Sequence, residues 1–594
     1  MDGKDEPPRE QAWAGLCAYP CPSRTPSING EQDKKKDEVN GGAHWGGWRM
    51  GLAPLCHFTL HRIAPSIRPW RLIMRHREII VAGVPFLVLV CIVIMSHELT
   101  YRAPEAEAIP AFARKYDFKC NVCHVPGFPK LNDFGNLFRD RGYQLGSDAD
   151  LPTYEGINMG FWPVSFRTTV GNQIGSLHTG PTGNISTNAV GFTGLDVLSF
   201  GTLDRDIAHR IVLTGQPSGS LGIGGGAGGS MDLESAAVKL MRLEKYLGIK
   251  SDPGDYLVNL LVGKHEVDVP FSEKRSPTLN TSFAMYHYVP GVAFTSGTVT
   301  AGSSFPINGG YLNPNQFGIG DNQPGIELTG LTKTKATGGF FRYTLDALFT
   351  NPSTSSPLGF LGGCPTTTPG GTAGCANGGA NVNFYGHMTQ SFGGYGIVTG
   401  HRIGVFGMYG NMPTHVNATC FDCPGTGGNY AAFSRIGVDF STTFNGEWNL
   451  FGAFMRGNDS KNLFASQLSS MTTLGLLPPG GVTTVGQAQN ASWNGAFIEL
   501  DYYPTLLPFL NVPDWFFSYR YDVIRNDRQG FSGFNKNFNN VDSHTVVVRY
   551  FIHQSTRTDV ALHWEYNWYQ TNGVSSSGAN LIGQTMFSGV DFAF

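Results

Sequence analysis

Charged residues are scarce in this sequence, and neither sign dominates. Of the 594 residues, 42 are Lys or Arg and 45 are Asp or Glu, which gives a formal net charge of −3. A chain that binds nucleic acid has a strongly basic footprint, so we expect no nucleic-acid partner. The mean hydropathy of −0.14 is too low for a bundle of transmembrane helices.

Motifs for hydrolytic or nucleotide chemistry are also lacking. No Ser-His-Asp set or paired-carboxylate site rises above background, and the glycine run from Gly224 to Gly229 has neither the Lys nor the following helix of a phosphate-binding loop. We find no convincing internal repeat. What the chain has in excess is glycine, with 78 residues, and aromatic side chains, at 12%. This composition indicates many strands and long loops.

One apolar run interrupts this pattern, from Ile79 to Met95. A basic cluster precedes it at residues 71–77, and Ala106-Glu107-Ala108 follows with small residues at the cleavage positions. We predict that 74–108 is a signal peptide that begins at Met74, and that 1–73 is a disordered, mis-called upstream extension. An uncleaved inner-membrane anchor is the alternative. Both interpretations export the remainder of the chain.

Cysteine placement agrees with export. After residue 108 the cysteines form three close pairs: Cys120 with Cys123, Cys364 with Cys375, and Cys420 with Cys423. The last two pairs lie in Gly- and Pro-containing stretches, where disulfides are plausible in an oxidising compartment. A zinc or redox site at Cys420 is disfavoured, because no second pair or His stands at zinc spacing.

The first pair differs because His124 follows it. Cys120-Asn121-Val122-Cys123-His124 is the C-x-x-C-H pattern of covalent haem attachment. Two thiols at this spacing reach the two vinyl groups of one haem, and the adjacent imidazole is the proximal iron ligand. We therefore predict one covalent haem c on Cys120, Cys123 and His124, with a disulfide or half a zinc site as the alternative.

The segment around this motif, residues 109–155, is shorter than a free-standing domain usually is, so something else must shield the porphyrin. Leu131, Phe134, Leu137 and Phe138 lie at helical spacing and predict a short amphipathic helix over one haem face. The sixth iron ligand comes from downstream, from solvent, or not at all. Met159 is the nearest downstream candidate for that distal ligand and His178 the next.

Beyond residue 160 the chain alternates with a period of two. Val560, Leu562, Trp564, Tyr566 and Trp568 share one face of a predicted strand, and His563, Glu565 and Asn567 share the other. A soluble sandwich would turn the apolar stripe inward, whereas an outer-membrane barrel would turn it toward lipid. Periodicity alone does not separate these cases.

Two further features favour the barrel. The connections are unequal, and Gln216–Ser230, Pro352–Asn383 and Leu468–Asn490 match long outer loops. Met586, Val590, Phe592 and Phe594 share a face at the C-terminus, as in the terminal strand of bacterial outer-membrane proteins. At about ten residues per strand, residues 160–594 allow about sixteen antiparallel strands. The predicted fold class is mainly β, with a short helical cytochrome segment before the barrel.

The run from Ile109 to Tyr143 resembles the fused outer-membrane cytochrome–porin family known from bacteria that oxidise ferrous iron. The resemblance rests on a Pro-Ala-Phe-Ala-Arg entry, the C-x-x-C-H pattern and a Pro-x-Leu-Asn-x-Phe-Gly exit. It implies a monohaem segment held inside or at the mouth of a barrel. Cys120, Cys123 and His124 carry over as haem-binding residues, and no distal ligand does.

The predicted function is electron transfer between an extracellular donor or acceptor and a periplasmic cytochrome, in a barrel surrounded by outer-membrane lipid. Ferrous iron is a candidate donor, and ferrous-iron oxidase activity stays an open question. Two alternatives remain. One is a passive porin with a non-redox cytochrome segment, and the other is an inner-membrane-tethered periplasmic haem-binding or sensor protein.

Overall fold

The structure is a computed structural model of the chain. It describes residues 111–116, 118, 122–125, 129–145, 152, 154, 164–178, 184–216, 230–279, 283–288, 290, 319, 322–350, 381–393, 400–414, 429–444, 447–461, 489–504, 515–530, 537–554, 558–573 and 580–593. Several predictions fall outside the described residues: the extension 1–73, the signal peptide 74–108, Cys120, Met159, and the pairs Cys364/Cys375 and Cys420/Cys423.

Among the described residues, two short helices precede sixteen strands, and a third short helix lies between the fifth and sixth strands. The helices are α1 Ala111–Tyr116, α2 Asp133–Asp140 and α3 Ala284–His287, with 3-10 turns at Leu243–Lys245 and Glu273–Arg275. The first eight strands are β1 Val164–His178, β2 Asn184–Asp204, β3 Ile207–Gln216, β4 Ser230–Leu240, β5 Tyr256–Glu266, β6 Asn322–Thr334, β7 Gly339–Thr350 and β8 Asn381–Phe392. The remaining eight are β9 His401–Thr414, β10 Asn429–Phe444, β11 Trp448–Asp459, β12 Ala491–Tyr502, β13 Trp515–Arg528, β14 Val541–Gln554, β15 Asp559–Thr571 and β16 Leu581–Ala593.

The strands form one closed antiparallel barrel in which each pairs with its sequence neighbours. The last strand, β16, closes the ring by pairing with β1, for example through Val170 opposite Val590. Closure leaves no unpaired strand edge, which is the condition for a sheet to cross a lipid bilayer. The prediction of an outer-membrane-type antiparallel barrel of about sixteen strands is confirmed. Among the described residues, no helix is long and apolar enough to cross a membrane.

The orientation of the two strand faces, which periodicity left open, is now clear. On β15 the side chains of His563, Glu565 and Asn567 point inward and are buried, whereas Tyr566 is 43% exposed. On β16, Phe592 is exposed and its neighbour Asp591 is buried. The apolar stripe therefore faces outward and the polar stripe faces the lumen. A soluble periplasmic sandwich has the opposite arrangement, so the tethered alternative is not supported.

The connections distinguish the two ends of the barrel. Residues 205–206 join β2 to β3 and residues 335–338 join β6 to β7, whereas residues 351–380 join β7 to β8 at the other end. We call the first the short-connection end. Outward-facing aromatic rings cluster there, with Trp448 and Tyr502 stacked at 3.9 Å between centroids. Such a girdle is typical of barrel residues at a membrane interface.

Two segments occupy the lumen. One is the N-terminal segment, which we define as the described residues of 111–145. The other, the inward loop, consists of residues 267–279 and 283–288, from the connection between β5 and β6. Its Phe283 ring packs 4.2 Å from that of Phe497, and its Ala284 N–H donates to Asp522 Oδ1 at 3.1 Å. The interior is therefore a packed core over much of its described length.

Candidate functional site

The predicted haem-attachment motif lies in a tight loop of the N-terminal segment. His124 and Leu131 form an antiparallel bridge, and the Val125 N–H donates to the Lys130 carbonyl at 3.0 Å. The Asn132 N–H donates to the Cys123 carbonyl at 2.8 Å. Backbone hydrogen bonds thus hold Cys123 and His124 against the entrance to helix α2.

Asn132 ties this loop to helix α2. Its side-chain amide nitrogen donates to the Val122 carbonyl at 2.8 Å, and its side-chain oxygen accepts from the Gly135 N–H at 2.9 Å. The second contact is an N-cap, which satisfies one of the free donors at the start of a helix. Capping explains why α2 begins at Asp133 and why Leu131, predicted on the helix face, lies before it. The Asn followed by helical periodicity is a start signal that sequence reasoning passed over.

Gly135 is required by close packing. A Cβ at this position would overlap the carbonyl oxygen of Cys123. Only a glycine lets the first turn of α2 approach the loop that holds Cys123 and His124 this closely. The Leu-Asn-x-Phe-Gly part of the exit motif therefore has a structural reason: Leu131 bridges to His124, Asn132 caps, and Gly135 permits contact.

A cavity of about 280 Å³ opens beside Cys123 and His124, between the N-terminal segment and the barrel wall. Its lining is largely apolar and aromatic on both sides. The apolar lining residues are Phe112, Phe118, Pro129, Leu131, Phe138, Tyr143, Phe166, Leu198, Phe200, Val212 and Ala593. The apolar wall residues belong to β1, β2, β3 and β16, so the barrel supplies the shielding that the short segment lacks.

A group of charged side chains forms the remainder of this lining. The cations are Arg139, Arg167, Arg210, Lys274 and Arg275, and the anions are Asp196, Glu234, Glu266 and Asp559. Glu266 accepts hydrogen bonds from Arg275 Nη1 at 2.6 Å and from Arg210 Nη2 at 3.3 Å. Other cations of this edge also pair with carboxylates, as Arg167 does with Asp196 and Lys274 with Glu234, so the edge is a network of ion pairs.

Burial governs the protonation of the two described motif residues. It raises the pKa of the Cys123 thiol to about 12 and lowers the pKa of His124 to about 4, against the opposing effect of backbone hydrogen bonds with Pro129 and Lys130. His124 is therefore a neutral imidazole at neutral pH, the form that ligates a metal. Cys123 has none of the thiolate character of a redox-active CxxC pair.

Ion pairs anchor the N-terminal segment in the lumen. Lys130 pairs with buried Asp501 of β12, and its ammonium lies 4.2 Å from the centre of the Phe451 ring. Asp140, at the end of α2, accepts from Arg342 Nε at 2.7 Å. Burial alone would raise the pKa of Asp140, but the charges of Arg342, Arg139 and Lys239 together outweigh it, so the pKa is lowered from its ordinary value. The segment is seated at the short-connection end of the barrel.

Only one of the two candidate distal ligands, Met159 and His178, lies among the described residues. Met159 lies outside the described residues. His178 stands at the far end of β1 from the cavity, since Arg167 lines the cavity and eleven residues of strand span roughly 36 Å. The structure therefore separates His178 from His124. Among the described residues that line the cavity, there is no second histidine and no methionine.

Among the solved structures similar to this chain is the outer-membrane channel DcaP of Acinetobacter baumannii, with 12% identity over 72% of this chain and 96% of that one and a TM-score of 0.37. Pseudomonas putida OprB has 11% identity over 74% and 96%, with a TM-score of 0.38. Salmonella typhi OmpF has 12% identity over 73% and 97%, with a TM-score of 0.39. No protein-family model and no curated protein matches the chain.

Proposed function

We propose that this protein is an outer-membrane electron-transfer protein that holds one haem c in the cavity beside Cys123 and His124. The observation that carries the proposal is the position of the haem-attachment loop, which faces an aromatic cavity inside a closed barrel. A motif of this kind on an exposed loop would leave a porphyrin in water. Here the wall strands and the N-terminal segment enclose the site together.

The residues present fit such a group. Cys123 would form one thioether bond, His124 would ligate the iron, and Arg210 and Arg275, which share Glu266, lie on the charged edge that would face the propionates. When bound, the haem supplies a one-electron redox centre. The chain itself excludes water with Phe112, Phe138 and Phe166, keeps His124 neutral, and fixes the loop through Asn132.

The two ends of the barrel would meet different electron-transfer partners. Short connections face the periplasm in outer-membrane barrels, and the N-terminal segment lies at that end. We propose a periplasmic cytochrome as the partner there and an extracellular donor or acceptor, with ferrous iron as the first candidate, on the long-loop side. The outward apolar face and the aromatic girdle place the barrel in outer-membrane lipid. An oxidase assignment depends on showing turnover with that donor.

A passive porin is the second candidate. A closed sixteen-strand barrel with a polar inner face is sufficient for solute diffusion and needs no haem. Against free diffusion, Lys130, Asp140 and the inward loop occupy the described part of the lumen. The two functions differ in what crosses the membrane, which makes them separable by experiment.

The deciding experiment uses the full chain expressed with cytochrome c maturation and purified from separated outer membranes. Covalent haem is measured by in-gel haem staining and a reduced-minus-oxidised spectrum. The purified protein is then placed in vesicles that enclose an oxidised soluble cytochrome c, and ferrous iron is added outside. We expect one haem per chain, lost in Cys120→Ala/Cys123→Ala, and reduction of the enclosed cytochrome only by the haem-loaded protein.

The chain offers a matched control in Cys420→Ala/Cys423→Ala, which removes a CxxC pair that no His follows. This variant should retain the haem and the activity. A haem-free wild-type protein that admits small sugars in a vesicle-swelling assay would establish the porin function instead. Recovery in the inner membrane would refute both.

A further inference from the structure

Three neighbouring strands bring one histidine and two carboxylates together on the lumen wall. His265 lies on β5, Glu327 on β6 and Asp346 on β7, and their exposed fractions are 1%, 7% and 3%. Each offers one ligand atom, and these atoms all lie within 4.8 Å of one another. None of the three lines the haem cavity described above.

The two carboxylates are placed unfavourably for a wall without a bound cation. Glu327 stands directly opposite Asp346 in the β6–β7 register. Like charges directly opposite each other destabilise an antiparallel pair, and burial increases the cost. In the described part of the chain, neither carboxylate forms an ion pair with a Lys or Arg, and Asp346 Oδ2 has no hydrogen-bond partner.

The nearby cations, Lys239 and Arg342, donate their hydrogen bonds to Asp140 and Asp268. The Lys239 ammonium donates to the Asp140 carbonyl at 3.3 Å. Arg342 donates to the side chains of Asp140 and Asp268, with a distance of 2.9 Å from its Nη2 to Asp268 Oδ1. Both cations interact electrostatically with Glu327, but in the described part of the chain neither forms an ion pair with Glu327 or Asp346.

The orientation of His265 adds a second constraint. Its Nδ1 lies 3.1 Å from the Gly263 carbonyl, which can only accept, so Nδ1 carries a proton. Its Nε2 lies 3.1 Å from Asp346 Oδ1. In the neutral imidazole, two lone pairs would face each other there. A proton on Nε2 would turn that contact into a hydrogen bond and place one positive charge beside both carboxylates, whereas a divalent cation would supply two.

We propose that His265 Nε2, Glu327 and Asp346 bind one divalent first-row transition-metal cation on the lumen wall. A backbone carbonyl on the other ring nitrogen is the usual support for a ligating histidine. One imidazole with two carboxylates suits Mn²⁺, Fe²⁺ and Zn²⁺, whereas an all-oxygen set suits Ca²⁺ or Mg²⁺. Ligand atoms about 2.2 Å from such an ion lie within about 4.4 Å of one another, so only small side-chain movements are needed.

Space for water lies beside one of the three residues. Glu327 lines a second cavity of about 60 Å³, which it shares with Asp140, Lys239 and Arg342 between the wall and the N-terminal segment. A cavity of this size accommodates water molecules that would complete the coordination of the ion. The inference goes beyond the proposed function, because it requires neither a haem nor electron transfer.

The test uses the full-length protein in detergent, treated with a chelator and titrated with Mn²⁺, whose free form is counted by electron paramagnetic resonance. We expect one ion per chain and nitrogen modulation of the bound Mn²⁺ signal from one imidazole. Glu327→Gln and Asp346→Asn should each weaken binding at least tenfold, and His265→Gln should abolish the nitrogen modulation. Glu327→Asp keeps a carboxylate and should retain binding.

The matched control is Asp439→Asn. Asp439 contacts His387 Nε2 at the same 3.1 Å, but Arg402 already pairs with its carboxylate at 3.0 Å. This variant should keep the wild-type stoichiometry, as should Cys120→Ala/Cys123→Ala, which separates the metal site from the haem. Heat-modifiable gel migration verifies folding of each variant. Absence of stoichiometric Mn²⁺ in the wild type, or binding that survives both Glu327→Gln and Asp346→Asn, would overturn the proposal.

Discussion

The barrel wall and the N-terminal segment are held in different ways. Each wall strand is fixed by hydrogen-bonded ladders to two neighbours, as between β1 and β16. The N-terminal segment has two short helices, and it depends on a few buried side-chain contacts such as Lys130 with Asp501. The wall therefore supports itself, whereas the segment depends on the wall. Perturbing the segment should therefore leave the barrel folded.

The largest effect is expected from Gly135→Val. A side chain here collides with the Cys123 carbonyl, so helix α2 must move away from the haem-attachment loop. We expect loss of most covalent haem in the stained gel, with normal heat-modifiable migration of the barrel. The wall position Gly386 provides the control, because a Cβ there meets its nearest neighbour at an ordinary 3.4 Å. Equal haem loss in Gly386→Ala would contradict the explanation.

Lys130→Met should loosen the segment without unfolding the wall. It leaves the buried carboxylate of Asp501 without its cation, and breaking such a pair costs about 3–5 kcal/mol. We expect faster proteolysis of the N-terminal segment and a rise in single-channel conductance as the lumen opens. Unchanged conductance alongside unchanged proteolysis would show that this ion pair does not anchor the segment.

Acidification should test the same anchoring at the other end of α2. Because the pKa of Asp140 is lowered in the folded protein, its contribution to docking is present above the ordinary carboxylate pKa and is lost only as pH falls through the lowered value. Proteolysis of the segment should therefore stay slow from pH 7 to about pH 4. Asp140→Asn should remove the pH dependence below that range. Release of the wild-type segment near pH 6 would disagree with this sign.

The smallest effect is expected on the outer face. Trp448 is 37% exposed and stacks on Tyr502 at the interface girdle. Trp448→Ala should destabilise the barrel by about 0.5–1.5 kcal/mol, measured as urea resistance in lipid vesicles, with full haem content. A loss of haem in this variant would mean that wall and segment are coupled more closely than their contacts indicate.

The sequence predicts most of the wall because strand alternation is a local property. His563, Glu565 and Asn567 face inward and Tyr566 faces outward, as the period of two requires once the fold is known to be a membrane barrel. The turn between Cys123 and helix α2 is also largely local. Its Asn132 cap was readable in principle, since an N-cap residue before a helical pattern is a sequence signal. The Gly135 contact was not, because it depends on how closely the loop approaches the helix.

The remaining features depend on register between distant strands. Lys130 meets Asp501, and His265 meets Asp346, across separations of 371 and 81 residues. Nothing in either local stretch specifies such pairs, because barrel tilt and closure decide which lumen positions coincide. For the same reason His178, close to the motif in sequence, is remote from it in space.

Closure of the ring through β1 and β16 imposes an order of events. Arg167 and Ala593 form adjoining parts of the cavity wall, and they are paired across the seam between the first and last strands. The enclosure is therefore incomplete until the final strand of the chain has arrived. A group attached to Cys123 before that pairing would meet an open wall and would be enclosed by β1 and β16 as the ring shuts.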